Sequence, residues 1–227
     1  MLRTHSHPLP DLQQDASLPR TVVGAALNYR DVYEQLLPVM EGAPYKGTPK
    51  APVLYIKPAN TYAADGDAVT LTPDIPELEI GACLGIVFGS RASRVSADQA
   101  MTHVAGYRVV GDLYAPHESF YRPAIKQRCR DGFCPMGPVV EAGRVPDPGQ
   151  LDIEVRIDGA VAQRASTSGL RRDIPTLIAE ITAFMSLEAG DVLLVGIPAG
   201  APRIRAGQRY EIRISGVGTL SNAIAAA

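Results

Sequence analysis

No apolar run in this sequence approaches the roughly 18–20 residues that a bilayer-crossing helix requires, so a membrane span is not expected. The opening stretch, MLRTHSHPLPDLQQDASLPR, lacks the apolar centre of a secretory leader. It reads as a loosely held arm over 1–20, with His5 and His7 as bystanders, ahead of a single domain over 21–227. Cysteine is scarce and odd in number, three in 227 residues, which argues for a reducing, cytoplasmic setting and against a disulfide framework. Cys129 and Cys134 have no second pair to complete a zinc site, and Cys83 and Cys134 read as small core residues. Neither the Rossmann nor the P-loop glycine fingerprint occurs, and no serine sits in a Gly-x-Ser-x-Gly elbow. Nucleotide chemistry and a serine nucleophile are therefore unsupported. With a formal charge of -2 and no broad basic face, the chain is not expected to bind nucleic acid.

What the sequence does hold is a local concentration of cations. Within His117–Pro138, Arg122, Lys126, Arg128 and Arg130 fall in nine consecutive positions with no acid among them. Pro123, Gly132, Pro135 and Gly137 make this stretch a loop. It is either a solvated charge run or a receptor for a small anion. Lys57 ends a strand just before Pro58, as a snorkelling surface lysine or as a functional one. Asp112 lies in an apolar run, where a carboxylate needs cations or hydrogen bonds to stay charged. Glu77 and Glu79 share one face of a strand, as a chelating pair or simply as an acidic start to the strand.

Strands are expected around 21–29, 51–60, 77–89, 103–115, 192–198 and 209–215, with a short helix at 97–102 and another over 31–41. In LDIEVRIDG the apolar Leu151, Ile153, Val155 and Ile157 alternate with charges, and Asp158-Gly159 turns the strand into a hairpin with AVAQRAS. A long helix is expected from an Asp173 cap to Gly190, with an apolar stripe of Leu177, Ile178, Ile181, Phe184 and Met185. Many short strands without regular βαβ alternation predict a mostly β, α+β fold.

The blocks TVVGAALNYRD, VLYIKP, GIVFG, GYRVVGDL, FCPMGPVV, DIPTLIAEIT, LEAGDVLLVGIPAG and GVGTLSN, in that order, resemble the fumarylacetoacetate hydrolase family over roughly 21–224. ESFYRPAIKQRCRDGFCPMG is similar to the N-terminal half of that family's bifunctional decarboxylase/isomerase branch in homoprotocatechuate (4-hydroxyphenylacetate) breakdown. The resemblance implies a mixed β-sheet roll with one long helix and a short lid helix. It implies chemistry on 5-oxopent-3-ene-1,2,5-tricarboxylate and 2-hydroxyhepta-2,4-diene-1,7-dioate through an enolate held by magnesium or manganese. The metal's expected Glu-x-Glu pair is replaced by Gly81 and Cys83, leaving Asp112 as a weak ligand at best. Val32 and Gln35 stand where the lid's histidine and glutamate belong, and Arg128 takes the place of a loop lysine. The resulting expectation is a site in which Arg128, Lys126 and Lys57 supply the electrostatic sink, and Arg122, Arg130, Asn28 and Tyr29 hold substrate. A homodimer, or a heterodimer with a homologous subunit, is the expected assembly. The alternatives are a non-catalytic partner of a metal-bearing sister chain and a carboxylate-binding module that has left catalysis.

Overall fold

β-branched and apolar runs become strands in the computed structural model, which describes residues 19–117 and 119–227. The arm expected over 1–20, with His5 and His7, lies almost wholly outside the described residues. The elements are β1 (Val22–Ala26), α1 (Arg30–Met40), β2 (Val53–Lys57), β3 (Tyr62–Ala64), β4 (Ala68–Leu71), β5 (Leu78–Phe88), α2 (Ala97–Ala100) and β6 (Val104–Tyr114). They continue with α3 (Ile125–Arg128), β7 (Cys134–Met136), β8 (Val140–Glu141), β9 (Asp152–Ile157), β10 (Ala160–Ser166) and α4 (Ile174–Thr182). The last four are β11 (Val192–Leu194), β12 (Arg203–Ile204), β13 (Arg209–Ile214) and β14 (Gly218–Ala226). The fold is thus mostly β with few helices, as expected.

Two sheets carry it. The larger runs β2-β1-β11-β5-β6-β7-β3, with β12 added to β5 and β8 to β6; the smaller runs β10-β9-β13-β14-β4. Antiparallel β5 and β6 are the spine, paired from Glu79↔Tyr114 to Phe88↔Val104. Both strands are buried on both faces along most of their length, which explains why they read as nearly continuous apolar runs rather than alternating ones. The hairpin β9–β10 turns at Asp158-Gly159, both with positive φ, as the Asp-Gly pair predicts.

Two elements differ from the sequence reading. The helix from Asp173 starts as expected, with the Asp173 carboxylate accepting from the Thr176 N–H at 2.8 Å, but it ends at Thr182. The chain must then reach back so that Leu187 can bridge Ala92, and Phe184 is left 70% exposed instead of joining the apolar stripe. The eleven-residue α1 is the longer helix. The stretch read as a loop from His117 to Pro138 contains the single turn α3 and the strand β7.

Candidate active site

Alternation along β2 turns Tyr55 and Lys57 to one side and leaves Ile56, 56% exposed, on the other. β2 pairs with β1 so that Gly24 lies opposite Tyr55 and Val22 opposite Lys57. A side-chain carbon at Gly24 would collide with the Tyr55 ring, so glycine is what lets the tyrosine lie across β1 towards β6. Lys57 does not snorkel: it is fully buried. Its Nζ donates to the carbonyls of Leu113 (2.9 Å), Arg128 (2.9 Å) and Phe133 (3.0 Å). Three acceptors need three N–H donors, which only the ammonium form provides. With those donors spent, its 2.7 Å approach to Asp112 Oδ1 is a direct charge–charge contact rather than a fourth hydrogen bond.

Asp112, fully buried on β6, is the group these cations serve. Its Oδ2 accepts from Arg128 Nη1 at 3.1 Å and from the Tyr55 hydroxyl. Burial alone would raise the Asp112 pKa, but the charges of Lys57 and then Arg128, with the hydrogen bond from Tyr55, hold it below the usual carboxylate range. Burial and the neighbouring Asp112 charge keep the Tyr55 phenol protonated. Arg128 sits between the rings of Tyr55 (4.8 Å) and Tyr114 (4.3 Å), an aromatic clamp on the guanidinium. Burial opposes its charge, but the Asp112 carboxylate more than restores it. Two cations against one carboxylate leave one net positive charge.

Arg128 opens onto a cavity of about 230 Å³, whose walls include Tyr55, Tyr114, Glu79, Phe120, Ile197 and the α1 residues Val32 and Gln35. Three larger clefts, of about 670, 950 and 690 Å³, lie elsewhere on the molecule, and none includes any member of this ion cluster. The smaller cavity is therefore the candidate site. α1 closes one side and is latched there by the Ala199 N–H, which donates to Asp31 at 3.3 Å.

Of the cations foreseen in the loop, the structure brings only Arg128 to Asp112. Successive helical residues are about 100° apart, so in the single turn α3 a side chain two positions away points nearly opposite. Lys126 accordingly is 78% exposed, 3.9 Å from Asp74. Arg130 forms a forked pair with Asp74, at 3.0 and 2.7 Å, outside the cavity. Arg122 is exposed and does not line the cavity. Asn28 is not available to substrate either. Its amide donates to the carbonyls of Val195 (2.8 Å) and Arg172 (3.3 Å), and its oxygen accepts from the Arg172 N–H, so it clasps β1 to the rest of the fold. Tyr29 is buried beside Gly169 and Gly196, away from the cavity walls.

The residues present do not fit a divalent ion. Gly81 pairs directly with Asp112, and a side chain there would run into the Asp112 carbonyl and the Ile197 side chain. Cys83 is buried and its thiol donates to the Leu84 carbonyl; burial, reinforced by Asp112, keeps it protonated and unlike a ligand thiolate. Both Asp112 oxygens are taken by protein cations and a phenol. Glu77 and Glu79 do not chelate together. Glu77 is held by Arg203 (2.8 Å) and Arg205 (3.2 Å) on the outer surface, and only Glu79 reaches the cavity. No cluster of three potential ligands occurs among the described residues.

The sequence reading passed over Tyr55, Tyr114 and His117. His117 packs edge-on between Tyr114 (5.7 Å) and Phe120 (5.5 Å), and its Nδ1 lies 3.1 Å from the Ser119 carbonyl. A carbonyl only accepts, so Nδ1 carries the proton and Nε2 a lone pair. Burial, then the nearby Arg128, push its pKa down. The strand pairing Glu79↔Tyr114 beside Gly81↔Asp112 could have flagged Tyr114, had the register been known.

Comparison with known proteins identifies the family. The family model described as fumarylacetoacetate (FAA) hydrolase C-terminal matches residues 21–225. The 4-hydroxyphenylacetate degradation bifunctional isomerase/decarboxylase of Escherichia coli is 34% identical over 204 residues, 90% of this chain and 47% of that protein. The chain thus spans about half the length of that curated relative. Among solved structures, a 5-carboxymethyl-2-hydroxymuconate delta-isomerase from Mycobacterium smegmatis superposes with a TM-score of 0.79 at 29% identity, covering 92% of this chain and 80% of that one. A maleylpyruvate hydrolase from Sphingobium sp. SYK-6, in complex with manganese (II) ion and pyruvate, gives 0.76 at 25% identity, covering 93% and 72%.

Proposed function

Because this chain belongs to the fumarylacetoacetate hydrolase family, we propose that it is a decarboxylase/isomerase subunit of homoprotocatechuate catabolism. Its substrates are 5-oxopent-3-ene-1,2,5-tricarboxylate and 2-hydroxyhepta-2,4-diene-1,7-dioate. The observation that carries the reading is the Lys57–Asp112–Arg128 cluster at the base of the cavity. Both reactions put negative charge on the oxygen at C2, as carbon dioxide leaves or as a proton shifts. A fixed guanidinium in a site shielded from water stabilises that charge without having to reorganise. Arg128 spends one N–H on Asp112, and none of its other donors forms a hydrogen bond among the described residues. A planar guanidinium suits a carboxylate or an enolate edge-on. Lys57 and Tyr55 act as positioning residues, keeping Asp112 ionised so that Arg128 stays charged and oriented.

Turnover should therefore persist in a chelator. Replacing Arg128 by Met should lower kcat by about 10²–10³, the usual cost of one oxyanion donor, while Arg128→Lys keeps part of the rate. Complete loss of wild-type activity on chelation, restored by manganese, would sink the proposal. A second reading, a supporting subunit for a homologous sister chain, is favoured by one observation. The α1 wall of the cavity presents Val32 and Gln35, neither of which transfers protons. Activity that appears only when the sister chain is added would select that reading; the assembly would then be a heterodimer rather than a homodimer.

A further inference from the structure

We propose that Glu79 is a catalytic residue, the base that moves protons on and off carbon in a 2-oxo acid held at Arg128. The inference rests on the reading above and names the proton carrier that reading lacks. Glu79 lies directly opposite Tyr114 on the β5–β6 ladder, one same-face step from the Gly81↔Asp112 pair. Diagonal neighbours of this kind are about 7–8 Å apart at the backbone. That offset sets the two rungs apart by a distance comparable to a short carbon chain. Both ends line the same cavity, and the Tyr114 ring lies between them, stacked on Arg128 and adjacent to Glu79.

Its surroundings leave Glu79 free to act. The groups around it are Tyr114, whose protonated phenol is a donor, and Arg203, whose Nε reaches Oε1 at 3.3 Å from an exposed position. Arg128 and His117 stand beyond the tyrosine. Glu77, by contrast, is bound by two arginines and faces outward. Oε2 of Glu79 meets neither arginine. With the lid positions occupied by Val32 and Gln35, Glu79 is, among the described residues, the carboxylate that lines the cavity, and one of its oxygens has no arginine partner.

The step balances within the site. The Glu79 carboxylate removes a proton from C3 of the bound 2-oxo acid. The C–H electron pair becomes the C2=C3 bond, and the carbonyl pair moves onto oxygen, facing Arg128. Collapse of the enolate, or its vinylogous form, then takes the proton back from the Glu79 carboxylic acid at C3 or C5. No oxidant or co-reactant is consumed.

The probe is 2-oxoheptanedioate with the full chain in D2O, following loss of the C3 proton signal by NMR and binding by calorimetry. Wild-type protein should exchange, and Glu79→Gln should slow exchange by about 10²–10⁴, the usual share of a general base, with binding retained. Glu79→Asp should recover part of the rate. Arg203→Met, which removes the surface ion pairs to Glu77 and Glu79, should exchange normally; loss there equal to that in Glu79→Gln would assign Glu79 a structural role and overturn the inference. Undiminished exchange in Glu79→Gln would overturn it while leaving the proposed function standing. Glu79-dependent exchange without turnover of either pathway substrate would uphold Glu79 and overturn the function. A wild-type protein that neither exchanges nor turns over substrate would overturn both.

Discussion

Lys57 shows how a residue's role can be set by groups distant in sequence. From the sequence it could be a snorkelling lysine, since a strand end before proline usually lies at the surface. Its burial depends on carbonyls from residues 113, 128 and 133, which no local pattern announces. Asp112 was easier to foresee, because a carboxylate in an apolar run demands partners. Replacing Lys57 by Met strands three carbonyls and removes a cation from a buried carboxylate. It should cost about 3–5 kcal/mol in chemical denaturation, the range for breaking a buried pair. The acid dependence follows from Asp112, whose folded pKa lies below its unfolded value of about 3.9. The stability it contributes is present above that unfolded value and drains away as pH falls through the lower folded one. Denaturation followed from pH 7 to pH 2 should show that acid loss in wild type and a much flatter profile in Asp112→Asn.

At the scale of elements, periodicity told most where one face is wet. The alternation of β9 and β13 and the Asp158-Gly159 turn were legible because solvent lies on one side of that sheet. α4 was foreseen to its cap but not to its end, because its stop is imposed by the Ala92–Leu187 bridge rather than by a local breaker. α3 and β7 escaped because prolines and glycines surround elements of four and three residues. The β5–β6 ladder is the most demanding element. Gly81→Ala places a methyl against the Asp112 carbonyl and Ile197, and should lower stability by about 1–3 kcal/mol, the cost of overpacking, read from the midpoint of urea unfolding.

For the molecule as a whole, closure of the smaller sheet falls to β14, which pairs antiparallel with β13 and parallel with β4. Leu220, Asn222 and Ile224 of this strand are buried, and the Asn222 amide donates to the carbonyls of Ala64 and Asp67. Deleting residues 218–227 should abolish a cooperative thermal transition in calorimetry rather than merely lower its midpoint. The sequence announced this region only as the end of the fold, since Gly218–Ala226 mixes small and polar residues that carry little strand signal. The family resemblance pointed to Asp112 and Arg128, but the grouping of Tyr55, Lys57 and Tyr114 around them became clear only once three strands and a helical turn were brought together.

The contact between Gly81 and Ile197 has an evolutionary corollary. Installing a carboxylate at position 81 would require the isoleucine across from it to be carved away first. The two positions are therefore coupled: a larger group on one rung is admitted only if the neighbour filling its space shrinks with it.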